Sequence, residues 1–138
     1  MFKGVNWVAV AVSVILVEVL GFLWYGPVFG KAWLAAFTAS LGRPPTGGAM
    51  AVTMSLGVVN SLILVFGLAW IVARLGAAGT RAIALAVGIW FLFDFTTMAV
   101  EYLYMGLSPA LVGLNMGYQL AAYAITGAVL AFMPRRAG

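Results

Sequence analysis

The chain has 138 residues, of which 65% are hydrophobic and 7% are charged, and its mean hydropathy is +1.14. Soluble domains carry charge on roughly a quarter of their residues, so this composition indicates one domain whose solvent is a lipid bilayer. The lack of cysteine excludes disulfides and thiolate chemistry, and the lack of histidine removes the commonest general base and metal ligand. The net charge of +4 fits membrane-protein loops, so nucleic acid is not an expected partner.

The first apolar segment begins after Lys3 and covers residues 5–23. A lysine before an apolar stretch also fits a signal peptide, but no small-x-small cleavage site follows and the stretch runs into the bulky residues FLWY. We therefore interpret this segment as a retained membrane span. The Gly26-Pro27 pair predicts that the helix breaks there.

The connection over residues 29–42 has its own helical pattern. Trp33, Phe37 and Leu41 fall on one helical face, and the pattern stops at Pro-Pro and Gly-Gly. This spacing predicts a short amphipathic helix that lies at the membrane interface. A simple linker and a lid over a binding site are both open interpretations.

Three further segments are long enough to cross a hydrocarbon core of roughly 30 Å, which needs about 20 apolar residues. They cover residues 50–73, 82–104 and 109–133. The expected fold is therefore all-α, an integral membrane four-helix bundle with a short interfacial helix between spans 1 and 2. One transmembrane domain accounts for residues 1–138.

The basic residues divide unevenly between the two sides of such a bundle. Four spans put both termini and the middle loop on one side. That side carries Lys3, Arg74, Arg81, Arg135 and Arg136, while the other carries Lys31 and Arg43. The positive-inside rule then predicts a multi-pass protein of the cell (inner) membrane with both termini cytoplasmic.

All three acids of the chain fall inside predicted spans. They are Glu18, Asp94 and Glu101. An acid at a helix centre costs roughly 2.5–3.5 kcal/mol on insertion scales, so such residues usually face a bundle interior or a wet cavity and carry function. A polar knot that only fixes helix register is the alternative.

Depth along the helices predicts that the polar residues cluster. At a rise of 1.5 Å per residue, one polar side chain on each helix lies roughly 20–24 Å from the basic end. These four are Glu18, Asn60, Asp94 and Gln119, with Glu101 and Asn115 farther out, near about 30 Å. Asp94 and Glu101 are seven residues apart and so share a helical face. The prediction is one polar pocket that widens away from the cytoplasm.

Aromatic side chains surround the predicted pocket. Tyr102 and Tyr104 fit an interfacial belt, and so do Trp24 and Tyr25, which we also retain as pocket candidates. Together with the polar residues, the candidate substrate-binding set is Trp24, Tyr25, Asn60, Trp90, Phe95, Asn115, Tyr118, Gln119 and Tyr123.

The stretches "NWVAV", "GFLWYGPVFGKAW", "FTT" and "LNMGYQLAAYAITGAVLA" resemble a bacterial family of small four-helix membrane proteins with no established function. Residues matching its motifs are Trp24, Tyr25, Pro27, Phe29, Gly30, Lys31, Asn115, Gly117 and Tyr118. Gln119 stands where that family usually has histidine, and the three acids are not among its hallmarks. The resemblance implies four transmembrane helices and no particular activity.

Two partial likenesses suggest activities. Intramembrane acids among aromatics are similar in design to membrane-integral terpene cyclases. The stretch "ILVEVLG" around Glu18 resembles the first helix of small multidrug-resistance transporters, in which a membrane glutamate exchanges protons for drug cations. Proton-coupled transport of small lipophilic cations is therefore one alternative function, and a non-catalytic lipid-binding accessory role is another.

The preferred hypothesis is a metal-independent enzyme that cyclises or isomerises a prenylated, terpenoid substrate by protonation. A carboxyl in an apolar site holds its proton at neutral pH, and Asp94, between Phe93 and Phe95, is the predicted general acid. Glu18 or Glu101 would take up the final proton or tune Asp94. Three scattered acids make a poor magnesium site, so no metal or cofactor is expected. The bilayer and a lipophilic small molecule are the expected partners, and a homo-oligomer stays open.

Overall fold

The computed structural model describes residues 2–48 and 50–133. Within these residues the chain forms five helices and no strand. The helices are α1 (Trp7–Val28), α2 (Gly30–Leu41), α3 (Met50–Arg74), α4 (Thr80–Tyr104) and α5 (Pro109–Phe132). The predicted all-α class is therefore confirmed, with boundaries close to those read from the sequence.

Side chains that accept hydrogen bonds begin two of the helices. Asn6 Oδ1 accepts from the backbone amides of Val8 and Ala9, both at 3.1 Å, at the start of α1. Ser108 Oγ accepts from the amide of Leu111 at 3.2 Å, and Pro109 occupies the first turn of α5. Both side chains accept hydrogen bonds from amides that have no partner inside the helix. A proline in the first turn costs no hydrogen bond, because the amide that it lacks would have no partner there.

The Gly-Pro pair produces a kink rather than the predicted end of the helix. Residues Trp24–Val28 form a π-helical turn in which Gly26 has φ −108° and ψ −105°. Pro27 lacks an amide hydrogen and therefore disrupts the regular ladder, and Phe29 N donates instead to Trp24 O at 2.8 Å. The chain then enters α2 at Gly30, where a Cβ atom would lie 2.7 Å from the Tyr25 carbonyl oxygen.

A second π-helical segment, Trp90–Phe95, lies in the middle of α4 and contains Asp94. It follows the α-helical turns Thr80–Ile89 and precedes Thr96–Tyr104. Hydrogen bonds from residue i to i+5 widen the helix here, and such segments are frequent at functional sites.

Three helices are long and apolar enough to cross a bilayer, judged by length and composition over the described residues: α1, α3 and α4. The fourth predicted span is the 24-residue helix α5, which carries Asn115 and Gln119 and is not among these three. Helix α5 packs against each of the other four. Its polar side chains therefore face protein, so the helix needs a less apolar surface than its neighbours.

One end of the helix assembly is filled by apolar side chains. At this end Asn6 Nδ2 donates to the Met133 carbonyl oxygen at 3.0 Å and joins the start of α1 to the end of α5. The buried cluster beside it contains Ala9, Val10, Val65, Leu68, Ala69, Val72, Ala82, Ala86 and Leu130. The larger cavity of the structure lies towards the opposite end.

Small residues bring α4 and α5 into close contact near this apolar end. A Cβ atom on Gly127 would lie 2.9 Å from Ala86 Cβ and 3.0 Å from Ile83 Cα. Gly127 and Thr126 are both buried, and Ala82 faces them with no exposed surface. This arrangement of small residues permits the close approach by which membrane helices associate.

Gly127→Ala is expected to lower the free energy of unfolding by about 1–3 kcal/mol, because the added methyl group meets backbone that cannot move aside. Thermal unfolding of purified protein in detergent would measure the change. The matched control is Gly113→Ala on the same helix, where a Cβ atom meets nothing within 4 Å. Equal unfolding temperatures for the two variants would contradict this packing.

Candidate functional site

The kinked end of α1 is fastened to the first half of α5. Trp24 Nε1 donates to the Leu114 carbonyl oxygen at 3.1 Å. The Trp24 ring lies against Gly117, where a Cβ atom would come within 3.2 Å of it. A larger residue at position 117 would therefore push the tryptophan, and with it the kink, away from α5.

Asn115 joins three segments of the chain. Its Oδ1 accepts hydrogen bonds from the Tyr25 hydroxyl at 2.9 Å and from Trp33 Nε1 at 3.2 Å. Tyr102 of α4 lines the same cavity. One side chain on α5 thereby positions aromatic residues from the kink and from α2.

A row of aromatic rings continues from this asparagine. The Tyr25 ring packs against Tyr118, with ring centroids 5.2 Å apart, and edge-on against Trp33 at 5.8 Å. Trp33 in turn packs against Phe37 at 5.2 Å. The far end of α2 is held by Ser40, whose Oγ accepts from the Ser108 amide at 2.9 Å. Helix α2 is therefore fixed beside the start of α5 by both ends.

These helices enclose a cavity of about 850 Å³. Its wall contains six aromatic residues and a smaller set of polar and aliphatic ones. The residues that line it are Tyr25, Trp33, Phe37, Asn60, Leu64, Phe93, Asp94, Thr97, Met98, Tyr102, Leu107, Leu111, Asn115, Met116, Gln119 and Tyr123. A largely apolar cavity of this volume with a few converging polar groups is typical of a small-molecule site.

Asp94 is the one acidic side chain among the described residues that line the cavity, and no lysine or arginine is among them. It is half-buried, and the Tyr123 hydroxyl from α5 lies within reach of a hydrogen bond to its carboxyl group. Tyr102, two helical turns farther along α4, lines the same cavity. The acid therefore shares the wall with tyrosine rings and with uncharged polar side chains.

The exposed part of the cavity wall lies between α3 and α4. Of the lining residues, Asn60, Phe93 and Thr97 are exposed, and the others are half-buried or buried. All ten residues from Ala51 to Asn60 are exposed, so this half of α3 stands away from its neighbours. The cavity therefore opens sideways, level with Asp94.

Comparison with known families gives one match. A family described as "Protein of unknown function (DUF1761)" matches residues 8–131. The chain belongs to the DUF1761 family. No curated protein and no solved structure matches it significantly. The match supports a small family of unknown function and gives no role to individual residues of this DUF1761 chain.

Six of the residues predicted to form the site line the cavity of this DUF1761 protein. They are Tyr25, Asn60, Asp94, Asn115, Gln119 and Tyr123. The predicted grouping by depth therefore holds for the polar residues of α3, α4 and α5. Trp24 and Tyr118 do not line the cavity but hold Tyr25 and the kink in place.

The two glutamates lie apart from the cavity. Glu18 is half-buried on α1, near the Tyr118 hydroxyl, and Glu101 is exposed. Glu101 was expected on the face of Asp94, seven residues away. Tyr102, eight residues away, lines the cavity instead.

Trp90 and Phe95 form a separate aromatic group on α4. Their ring centroids are 5.3 Å apart, and Phe95 also stacks on Phe91 at 5.7 Å. Neither Trp90 nor Phe95 is among the lining residues. Trp90 packs against the buried core, and its Nε1 is buried without a hydrogen-bond partner among the described residues.

Several wall residues were not predicted as site residues. Tyr102 fits an interfacial belt by sequence, yet it is half-buried and lines the cavity. Its spacing of eight residues from Asp94 was the available signal. Trp33 and Phe37 were recognised as one face of α2, but only their contact with Asn115 and with each other directs that face into the cavity.

Asn115→Leu is expected to lower the free energy of unfolding by about 1–3 kcal/mol for each donor left without an acceptor. Trp33→Phe keeps an aromatic ring but removes the N–H together with part of the indole, so we expect a loss of about 1 kcal/mol from the hydrogen bond. Thermal unfolding in detergent measures both. The control is Trp7→Phe at an exposed ring stacked on Phe66, for which about 0.5 kcal/mol or less is expected. An unchanged unfolding temperature for Asn115→Leu would refute the role of this residue.

Proposed function

We propose that the protein is a membrane enzyme that isomerises or cyclises a lipophilic, prenylated substrate by protonating it. The observation that carries this proposal is a single carboxyl group, Asp94, in the wall of a large aromatic cavity. An isolated acid beside apolar carbon chains is suited to general acid catalysis, and aromatic faces stabilise positive charge.

The reaction would begin with transfer of the Asp94 proton to an alkene carbon or an epoxide oxygen. Two alkene electrons form the new C–H bond, or the epoxide C–O bond breaks, and a carbocation results. The rings of Tyr102 and Tyr123, which line the same cavity as Asp94, would stabilise the cation by up to about 2 kcal/mol each where water is excluded. Loss of a proton from a neighbouring carbon to the Asp94 carboxylate restores the acid, so the product is an isomer of the substrate.

The polar residues of the wall would orient the substrate. Asn60 and Gln119 offer amide groups to a hydroxyl or carbonyl, and neither carries charge. A diphosphate group would need cationic side chains or a magnesium site, and one carboxylate is a poor ligand set for that ion. The proposed substrate is therefore neutral, and its reaction starts by protonation rather than by loss of diphosphate.

The proposed setting is the cell membrane. Helices α1, α3, α4 and α5 would be the four spans, with α5 in the centre, and α2 would lie at the interface. The hydrogen bond between Asn6, at the start of α1, and Met133, at the end of α5, lies at the apolar end. The loop between α3 and α4 lies at the same end. That end also carries Lys3, Arg74 and Arg81, so the positive-inside rule makes it cytoplasmic.

Single-cysteine variants would test this topology, because the natural chain contains no cysteine. Thr46→Cys and Met105→Cys are expected to react with a membrane-impermeant maleimide in intact cells. Ala78→Cys and Ala137→Cys are expected to react only after the membrane is opened. The reverse pattern would invert the protein, and labelling of Met105→Cys and Ala137→Cys from the same side would rule out α5 as a span.

Proton-initiated catalysis is tested by deuterium incorporation. Purified protein would be incubated in heavy water with farnesyl and geranylgeranyl compounds and their epoxides. We expect an isomer that carries one solvent deuterium, and we expect Asp94→Asn to lower its rate of formation by at least about 100-fold, the usual scale of general acid catalysis. Thr96→Val, at an exposed position outside the cavity, is the matched control.

The same assay separates the alternatives. Loss of activity in Glu18→Gln or Glu101→Gln, with Asp94→Asn active, would move the proton donor out of the cavity. If stable protein converts none of the compounds, the enzyme proposal fails. Proton flux driven by lipophilic cations in liposomes would then support a transporter, and its absence a lipid-binding accessory role.

A further inference from the structure

The charge of the cavity wall is one-sided. Among the described residues that line it, Asp94 is the one acid, and there is no lysine or arginine. Six aromatic rings surround the same space. Tyr25, Tyr102 and Tyr123 are the other titratable side chains of the wall. An anion would find no charged partner here, whereas a cation would find a carboxylate and the electron-rich faces of rings.

We propose that this cavity binds lipophilic ammonium ions, with the cationic head at Asp94 between Tyr102 and Tyr123. Both tyrosines line the same cavity as Asp94, and they come from two different helices, α4 and α5. This inference rests on the function proposed above, since a stable ammonium head would stand where the carbocation forms. A stable mimic of such a cation is expected to bind more tightly than a neutral substrate.

The hydrocarbon tail has a separate place in the cavity. Leu64, Met98, Leu111 and Met116 provide an aliphatic surface from three helices, and methionine adapts its shape to different chains. A head at Asp94 therefore leaves the tail against these side chains, out of water. This division of the wall selects amphiphilic cations over small hydrophilic ones.

The route to Asp94 is lateral. Asn60 and Thr97 are exposed on the two sides of the opening between α3 and α4, and Phe93, 69% exposed, lies beside Asp94 in the chain. At the end where α1 meets α5, buried apolar side chains pack between the helices. The second cavity, about 240 Å³ at that end, shares no lining residue with the first. An amphiphilic cation dissolved in the bilayer would thus enter through this opening, with either its tail or its head first, and reach the Asp94 carboxylate.

Three probes with one tail test the inference: dodecyltrimethylammonium, dodecanol and dodecyl sulfate. Binding of radiolabelled probe to protein in nanodiscs would be measured, with binding to empty nanodiscs subtracted. We expect the ammonium ion to bind at least about tenfold more tightly than the alcohol, which corresponds to about 1.4 kcal/mol, and the sulfate not to compete. Similar affinity for the cation and the alcohol would overturn the proposal.

Two variants locate the cation. Asp94→Asn is expected to remove the preference for ammonium over alcohol, and Tyr102→Leu, which keeps the carboxylate, to reduce it severalfold. Thr96→Val is the control, since its side chain bonds to the Leu92 carbonyl oxygen and does not line the cavity. A preference that survives in Asp94→Asn would refute the site. If that variant does not fold, an unchanged preference in Tyr102→Leu refutes it equally.

Acidification provides an independent readout. A bound cation favours the carboxylate form, so affinity is expected to fall as Asp94 takes up a proton, while Tyr102 and Tyr123 stay neutral over the same range. The control variant should keep this dependence and Asp94→Asn should lose it. A dependence retained in Asp94→Asn would contradict the proposal.

The two proposals can fail separately. Conversion of prenyl compounds without any preference for ammonium would overturn the inference and leave the enzyme proposal intact. Ammonium binding that requires Asp94, without conversion, would keep the inference and overturn the enzyme.

Discussion

The two hydrogen bonds accepted by Asn115 are the constraint on which the site depends. They hold the Tyr25 hydroxyl and the Trp33 indole on one amide oxygen, and so join the kinked end of α1 and the helix α2 to α5. Without them the hydroxyl and the indole N–H would lie in an apolar setting with no acceptor, which is costly. The same contacts turn the aromatic face of α2 inward, and they thereby close the cavity on the side away from Asn6 and Met133.

The central helix is not among the three that are apolar enough to cross a bilayer. Helix α5 carries Asn115 and Gln119, whereas lipid contact would favour neither. Its neighbours take up these polar groups, and its small residues at Gly117 and Gly127 let a tryptophan and a second helix approach closely. Polar side chains and close packing occur on the same helix, because both require that protein rather than lipid surrounds it.

Local patterns predicted the helices well and the site in part. Apolar length predicted the extent of the helices, because it acts within one segment, whereas the Gly-Pro pair was expected to end α1 and instead kinks it. Depth along the helices grouped Asn60, Asp94 and Gln119 correctly, but it also included Glu18, which does not line the cavity, because depth alone does not give the direction of a side chain. Facial spacing failed for Glu101, since Tyr102 lines the cavity with Asp94 and Glu101 is exposed. The inward direction of Trp33 depends on a partner 82 residues away and could not be predicted from its own segment.

The distances along the chain between these partners also determine when the structure can form. Tyr25 and Asn6 meet residues 90 and 127 positions later, all of them on α5 or at its end. During synthesis, the earlier helices therefore enter the membrane before their common partner exists, and their donors must wait in lipid or at its surface. Assembly of the site is consequently a step that follows translation of the last helix. A ribosome that stalls before α5 releases a product with apolar helices and no cavity, which is a substrate for membrane quality control rather than a partly active protein.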